Sequence, residues 1–526
     1  MTFAAVPAPT RYLHRSGGSG ATVAAQATPD APIMASPCRG GPEPTPPDRA
    51  YNLEPMISAM PTLQALLLTA THLVLASIVT VHVLSHKRDP RSAVAWIGLA
   101  WLSPVVGSLL YVLLGINRVR SRARSLRGSE RLREALGDDP TPLVNYGLHA
   151  VETAGSRITR RHVEAGNQVR ILRNGDEAYP RMLQAIGRAR DTIALSSYLF
   201  RADDAGRPFI DALGAARDRG VEVRVLVDGV GSGYFRSGTY IALRRLGVPV
   251  ARFLHSLAPW RMPFINLRNH RKLLIVDGGL AYTGGLNIGA ENLVRTRPRH
   301  PVLDKHFEIS GPVVAQLCDA FSEDWRFATG EALTGPGWFP VLGACGETRA
   351  RTVTSGPDQD LEKIELLIME AVGCARKSVR IMTPYFLPDE RLTVALSLAA
   401  LRGAQVDIVL PERSNHPWLD WANRAHVEPL LTAGCNVWTH PAPFDHSKLL
   451  AIDGQWCLIG SANWDTRSFT LNFEINVEFY DTGLAGEIDA IVADHRTAAL
   501  TLAALRQRSA ARRLRDSAAR LLSPYL

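Results

Sequence analysis

At 526 residues, with 46% hydrophobic and 21% charged side chains, the chain has the size and composition of a globular protein of two or three domains with some membrane character. Its net charge of +9 directs attention to anionic partners, either lipid headgroups or nucleic acid. The six cysteines, at 38, 318, 345, 374, 435 and 457, form no C-x-x-C and no metal-type cluster, so neither a disulfide framework nor a zinc site is expected.

Residues 1–55 are rich in Pro, Ala, Gly, Ser and Thr, lack an apolar period and are expected to be disordered, with no secretory signal. Two uncharged runs follow, 24 residues at 62–85 and 25 at 92–116, separated by a short polar turn. Each is long enough to cross a hydrocarbon core about 30 Å thick at 1.5 Å per residue. The expectation is a transmembrane helical hairpin over 62–116, with Trp96, Trp101 and Tyr111 near the interfaces. His72 and His82 lie in the first run and are read as helix–helix or interfacial hydrogen-bonding groups. Seven arginines lie between 118 and 133, against Lys87, Arg88 and Arg91 in the turn. Positive-inside bias then places both ends of the hairpin, and with them the rest of the chain, on the cytoplasmic side. Residues 117–164 read as a basic juxtamembrane linker.

From about 165 the pattern becomes α/β. Strand-like runs (QVRIL, DTIALSSYLF, VEVRVLVD) alternate with helical spacings, and the order then repeats. AIGRARDTIALSSYLF (185–200) matches AVGCARKSVRIMTPYF (371–386), and ALGAARDRGVEVRVLV (212–227) matches ALSLAALRGAQVDIVL (395–410). Two α/β/α domains are expected, at 165–340 and 341–500, packed about a pseudo-twofold axis. A basic helix over 501–526 would lie against the protein or the membrane.

The strongest repeat is polar. RNHRKLLIVDGGLAYTGGLN (268–287) recurs as FDHSKLLAIDGQWCLIGSAN (444–463). The pairs His270/His446, Lys272/Lys448, Asp277/Asp453, Gly284/Gly460 and Asn287/Asn463 share one offset of 176 without a gap. A single H-x-K reads most simply as a solvated surface pair; two matched copies on buried-strand scaffolds do not.

If the halves face each other, both imidazoles enter one site, and the inventory suits a phosphate diester. Lys272, Lys448, Asn287 and Asn463 would hold non-bridging oxygens. One imidazole would attack phosphorus while the other moves the proton of the leaving and then the entering alcohol. No carboxylate cluster suggests a two-metal site, so no metal or cofactor is expected. Glu474, 28 residues past His446, and Asp304, 34 past His270, are the candidates to orient the imidazoles. Asp277 and Asp453 end buried-looking strands and read as turn caps or base partners more than proton carriers.

These residues resemble the phospholipase D superfamily, whose hallmark is a duplicated H-x-K-x4-D followed by G-[GS]-x-N. More closely, the chain resembles the bacterial cardiolipin synthases in that superfamily. The likeness includes VDGVGS (227–232), GGLNIG (284–289), TPYFLPDE (383–390), GSANWDTRSFTLNFEINVEFYD (460–481) and a terminal LLSPYL, and runs from about 60 to the end. It implies tandem phospholipase D-like domains that convert two phosphatidylglycerols into cardiolipin and glycerol through a phosphatidyl-histidine, without metal. His270 would be nucleophile and His446 general acid/base, or the reverse. The motif places Lys272, Lys448, Asp277 and Asp453 in the catalytic set, with Ser461 assisting at the phosphate where its counterpart Gly285 cannot. The basic insertion LVRTRPRH (293–300) departs from the family pattern and bears on acceptor choice. Asp445 stands where an apolar residue is usual and would alter the pKa of His446. Water as acceptor, giving a phospholipase D hydrolase, and phosphatidylethanolamine as co-substrate remain open. A membrane-anchored nuclease is a further alternative, with nucleic acid the less favoured partner.

Overall fold

A computed structural model of the chain describes residues 54–86, 90–112, 147–255 and 267–521. The expected disordered segment lies outside these residues except for 54 and 55, which start a helix, and so do positions 117–146 of the expected linker. The chain divides into two compact units, Met1–Tyr111 and Val112–Leu526.

In the first unit, the helix Glu54–His86 packs against two shorter ones, Pro90–Leu102 and Pro104–Leu110. Leu63–Ser85 is long and apolar enough to cross a membrane, and it is the one such helix among the described residues. The second apolar run, expected as one continuous span, is broken at Ser103 (φ −144°, ψ 81°), immediately before Pro104. Proline lacks an N–H and disfavours helical geometry in the residue before it, a constraint that counting uncharged residues does not register. The helices are tied by polar contacts: His82 Nδ1 lies 2.7 Å from the Tyr111 hydroxyl, and the Trp101 indole N–H donates to Thr80 Oγ1 at 3.1 Å. His82 thus takes the helix–helix role expected of it.

The second unit is a mixed α/β structure. Its first half carries β1 (Glu164–Arg173), β2 (Thr192–Ser197), β3 (Glu222–Asp228), β4 (Val250–Phe253), β5 (Arg268–Asn269), β6 (Leu273–Val276), β7 (Leu280–Gly284), β8 (Val302–Leu303) and β9 (Lys305–Ser310). Its second half carries β10 (Thr348–Ser355), β11 (Ser378–Met382), β12 (Phe386–Leu387), β13 (Gln405–Pro411), β14 (Asn436–His440), β15 (Phe444–Asp445), β16 (Leu449–Ile452), β17 (Trp456–Gly460), β18 (Trp464–Asp465), β19 (Asn472–Tyr480) and β20 (Ala498–Leu500).

One sheet runs β20-β14-β13-β11-β16-β17-β19-β10-β1-β9-β7-β6-β2-β3-β4. The seam is the antiparallel pair β1·β10, with Glu164 opposite Ala350 and Asn167 opposite Thr348. Outward from it the equivalent strands follow in the same order in both halves. β2, β3 and β4 pair in parallel, as do β11, β13 and β14, and the central strands β2, β3, β11 and β13 are largely buried while the outer β4 and β14 are less so. β6, β7 and β9 are antiparallel, as are β16, β17 and β19.

The sheet has helices on both faces. One core cluster draws residues from both halves, including Phe253, Phe307, Phe321, Phe473 and Phe479, beneath the helices Val313–Thr329 and Thr482–Asp494. On the other face each half keeps its own cluster, around Phe209 and Tyr282 in the first and Trp456 and Phe469 in the second. Each such buried aromatic is worth about 1.5–3 kcal/mol in area removed from water, so the shared core is a strong reason for the halves to stay joined.

Candidate active site

The hairpin turns after β6 and β16 show what the motif aspartates do. Asp277 and Gly278 have φ of 49° and 59°, and Asp453 and Gly454 have 54° and 63°. Aspartate tolerates this left-handed geometry better than most residues. The Asp277 carboxylate accepts from the backbone N–H groups of Arg190, Asp191 and Thr192, and that of Asp453 from Arg376, Lys377 and Ser378. Neither lines the cavity that holds the histidines. Their membership in the catalytic set is corrected to a structural place: each welds a turn to the start of a neighbouring strand.

The histidines enter through reciprocal strand additions. β5, just before His270, pairs in parallel with β19 of the other half, and the His270 N–H donates to the Phe473 carbonyl at 2.9 Å. β15, just before His446, pairs in parallel with β8 of the first half, and the His446 N–H donates to the Leu303 carbonyl at 2.8 Å. Phe473 and Leu303 each immediately precede a candidate acid, so each imidazole meets the carboxylate of the opposite half. His270 Nδ1 is 2.9 Å from Glu474 Oε1, and His446 Nδ1 is 3.0 Å from Asp304 Oδ2. An ionised carboxylate only accepts, so Nδ1 carries the proton in both rings and Nε2 is the nitrogen left for a ligand. In sequence each acid lies nearer the histidine of its own half; in the fold each meets the histidine of the other.

Both histidines line one cavity of about 650 Å³, with Asn287, Asn463, Arg268, Arg467 and Asp465. Asn287 Oδ1 accepts from the Leu199 N–H at 3.3 Å, while buried Asn463 Oδ1 has no hydrogen-bond partner. Lys272 and Lys448 are 2% and 4% exposed and lie behind the cavity wall. Each ammonium donates to the carbonyl of its own motif histidine, at 2.6 and 2.5 Å.

Burial sets the protonation states. It pushes the His270 imidazole down to about 4, against the opposing pull of Glu474. His446 is lowered by burial and by the nearby Lys448. Burial also pushes Lys272 down to about 7 and Lys448 to about 8, while the buried acids pull them back up. For Glu474, burial alone would raise the pKa, but His270, Lys272 and the Ser461 hydroxyl together hold it below the usual range. Asp465 is pushed up to about 6 by burial.

Ser461 does not reach the phosphate position expected of it. It is fully buried and donates to Glu474 Oε2 at 2.5 Å, while its oxygen accepts from the Ile475 N–H at 2.9 Å. At Gly285, its counterpart, a Cβ would stand 2.4 Å from Asp304 Oδ1, so the first half has no room for a side chain there. Asp445 does not touch the His446 ring either. It accepts from Lys305 Nζ at 2.8 Å and from Ser447, with His495 Nε2 3.4 Å away, and these partners hold its pKa well down despite burial. The basic insertion reaches the site: Pro298 and His300 line the cavity.

Other contributors carried no separate sequence signal. Tyr198 meets the His270 ring edge-on at 4.8 Å, and Tyr385 meets His446 at 6.3 Å. Arg271, between the motif His and Lys, turns inward to Asp324 at 2.8 Å and to the Glu474 carbonyl at 3.2 Å, fastening the first motif to the second half. Tyr198 stands two residues before Phe200 and Tyr385 one before Phe386, so the repeat does not align the tyrosines, and nothing in R-x-H-R-K marks the arginine's direction.

Comparison with known proteins agrees with this architecture. A family model described as "Cardiolipin synthase, PLD-like domain" matches residues 182–325 and 368–495, and one described as "Phospholipase_D-nuclease N-terminal" matches 74–115. The major cardiolipin synthase of Bacillus subtilis is 32% identical over 482 residues, covering 88% of this chain and 100% of the relative. Cardiolipin synthase A of Pseudomonas aeruginosa is 33% identical, covering 86% and 94%. Among solved structures, a phosphatidylserine synthase of Haemophilus influenzae superposes with a TM-score of 0.55 at 14% identity, covering 71% of this chain and all of that one, a likeness of fold.

Proposed function

The chain belongs to the cardiolipin synthase family of the phospholipase D superfamily, and on that premise we propose that it transfers a phosphatidyl group from one phosphatidylglycerol to another, releasing glycerol. The observation that carries this reading is the crossed pairing: two imidazoles in one cavity, each with Nδ1 on a carboxylate from the other half.

His270 is the nucleophile in this reading, because its depressed pKa keeps it neutral at cellular pH. Its Nε2 bonds to phosphorus as the bond from phosphorus to the glycerol oxygen breaks. His446 Nε2–H gives its proton to that oxygen, and an anionic phosphate bound nearby favours its protonated form. The second phosphatidylglycerol then loses its terminal hydroxyl proton to His446 and attacks phosphorus, breaking the nitrogen–phosphorus bond. Lys272 and Lys448, turned from the histidine carbonyls, and the amides of Asn287 and Asn463 offset the developing charge. Glu474 and Asp304 fix the tautomers.

Two anionic lipids must meet here, and Arg201, Arg268, Arg467 and His300 on the cavity wall suit that better than a neutral acceptor does. We take the halves to be two domains, 165–340 and 341–500, related by a pseudo-twofold axis, as the matching strand order and reciprocal hydrogen bonds suggest. We also take the N-terminal unit to be a membrane hairpin with both ends on the cytoplasmic side. The deciding experiment incubates the purified full chain with labelled phosphatidylglycerol and a chelator. Cardiolipin and glycerol in equal amounts support the reading; phosphatidic acid alone would make the protein a hydrolase.

A further inference from the structure

The parallel strands β3 and β13 occupy equivalent places in the two halves; a loop follows β3, and a short loop and then the helix Pro417–Thr432 follow β13. The seventh residue beyond each strand is a large aromatic: Phe235 after Asp228 and Trp418 after Pro411. Phe235 is 85% exposed and Trp418 46% exposed, although most large aromatics in this unit are buried. Each has an exposed arginine close in sequence, Arg236 and Arg413.

Both segments adjoin the cavity lining. On the second-half side, Asn415, His416 and Leu419 line the cavity on either side of Trp418 in sequence. On the first-half side, Ser232 Oγ donates to the carbonyl of Tyr198, itself a lining residue, at 3.2 Å. The ring contacts of both are local, Phe235 with Tyr234 and Trp418 with His416, each at 5.0 Å between centroids, so their exposed faces cost solubility and add little to the fold. Two such rings, at matched positions flanking one cavity, point to a shared partner.

We propose that Phe235 and Trp418 are a pair of interfacial anchors that seat the cavity mouth on an anionic lipid surface. The chemistry fits a lipid surface: an aromatic ring is most at ease at the headgroup level of a bilayer, and an exposed arginine in the same segment, next to Phe235 and five residues before Trp418, suits lipid phosphate. A diacyl lipid then enters with its headgroup leading and its chains still in the membrane. The inference rests on the reading that the substrate is a lipid, and deepens it by assigning the surface that meets the membrane.

The test uses the full chain and two substrates, long-chain phosphatidylglycerol in vesicles and a short-chain, water-soluble phosphatidylglycerol. In the double variant F235S/W418S, turnover on vesicles should fall roughly tenfold as interfacial burial is lost, with short-chain turnover unchanged. In a second measurement, vesicles with brominated acyl chains should quench the added fluorescence of Phe235→Trp, and Trp418→Phe should remove part of the native quenching. Unchanged vesicle turnover, an equal loss on both substrates or absence of quenching would overturn the anchors. So would a concentration-dependent dimer that the double variant abolishes, which would give the surface to a second copy of the chain. If the unsubstituted chain makes no cardiolipin from either substrate, it is the functional reading that fails.

Discussion

The two halves present the same imidazole on the same strand scaffold, yet they support it differently. In the first motif the residue before the histidine is Asn269, whose amide donates to Asp324 and whose N–H donates to Asp228. In the second it is Asp445, in a buried ion pair with Lys305 of the first half. The acids differ as well. Glu474 accepts from His270, Ser461 and Asn472, while Asp304, one methylene shorter, sits against Gly285 and meets His446. Duplication keeps the geometry of the paired imidazoles, and on the proposed mechanism the divergence behind each one divides the labour between nucleophile and proton carrier.

The most direct way to break that division is to remove one imidazole at a time. His270→Ala and His446→Ala should each lower cardiolipin formation by at least ~10³-fold, as for residues acting as a unit, with the thermal unfolding midpoint little changed. A phosphodiester with a nitrophenol leaving group separates the roles, because that group departs without a proton. On it, the His446 variant should still accumulate a phosphoenzyme, and the His270 variant should form none. The opposite pattern would reverse the assignment.

Next in size is the tie that holds the second motif. Lys305 and Asp445 are 7% and 4% exposed, and breaking a buried pair by neutralising one partner costs about 3–5 kcal/mol. Asp445→Asn should therefore lower the denaturation midpoint markedly. Asn269→Ala, which removes one amide hydrogen bond to the Asp324 carboxylate at the equivalent place and leaves that carboxylate its Arg271 partner, should cost about 1.5–3 kcal/mol. Equal losses would remove this contrast between the halves.

The acids give a contrast in pH dependence. On the proposed mechanism the free enzyme needs neutral His270 and cationic Lys272, so kcat/KM should rise as pH climbs through about 4 and fall as it passes about 7. Glu474 is the foremost charge holding Lys272 up, and Asp304 the foremost charge holding Lys448 up. Glu474→Gln should thus move the alkaline fall below 7, with a loss in rate on the order of 10²-fold. Asp304→Asn should act mainly on the group near 8. An identical shift in both variants would mean that the acids act as one pool rather than on separate partners.

Much of this site was legible in the chain because the repeat is gapless: His270, Lys272, Asn287 and their counterparts could be lined up by one offset. The two acids could also be found, but not their partners. The crossing depends on β5 lying against β19 and β15 against β8, pairings of two-residue strands with residues some 140 to 200 positions away in sequence, for which neither periodicity nor spacing provides a signal. The aspartates Asp277 and Asp453 show the opposite problem. They are as regular in spacing as the histidines, yet a carboxylate that closes a turn recurs as faithfully in a duplication as one that reacts. In the N-terminal unit, hydropathy found the apolar runs and missed the break before Pro104, because that break is a matter of backbone geometry rather than polarity.

Ser461 gives the finest test of the asymmetry. Its hydroxyl joins the Glu474 carboxylate to the Ile475 N–H, a bridge the first half replaces with Gly285 and the direct approach of Asp304. Ser461→Gly makes the two motifs alike at this position. A lost hydrogen bond to a charged group is worth about 1.5–3 kcal/mol, and the carboxylate keeps its other partners, so rate should fall by about tenfold or less. The Ser461 hydroxyl is one of the groups holding the Glu474 pKa down. Without it, Glu474 should take up a proton at higher pH, and His270 loses its anionic partner when it does. The acid limb of kcat/KM should therefore move to higher pH in Ser461→Gly, while Ser461→Thr, which keeps the hydroxyl, should restore it if the methyl group is accommodated. A rate loss without a shifted acid limb would reduce Ser461 to packing and leave Glu474 oriented by His270 and Asn472 alone.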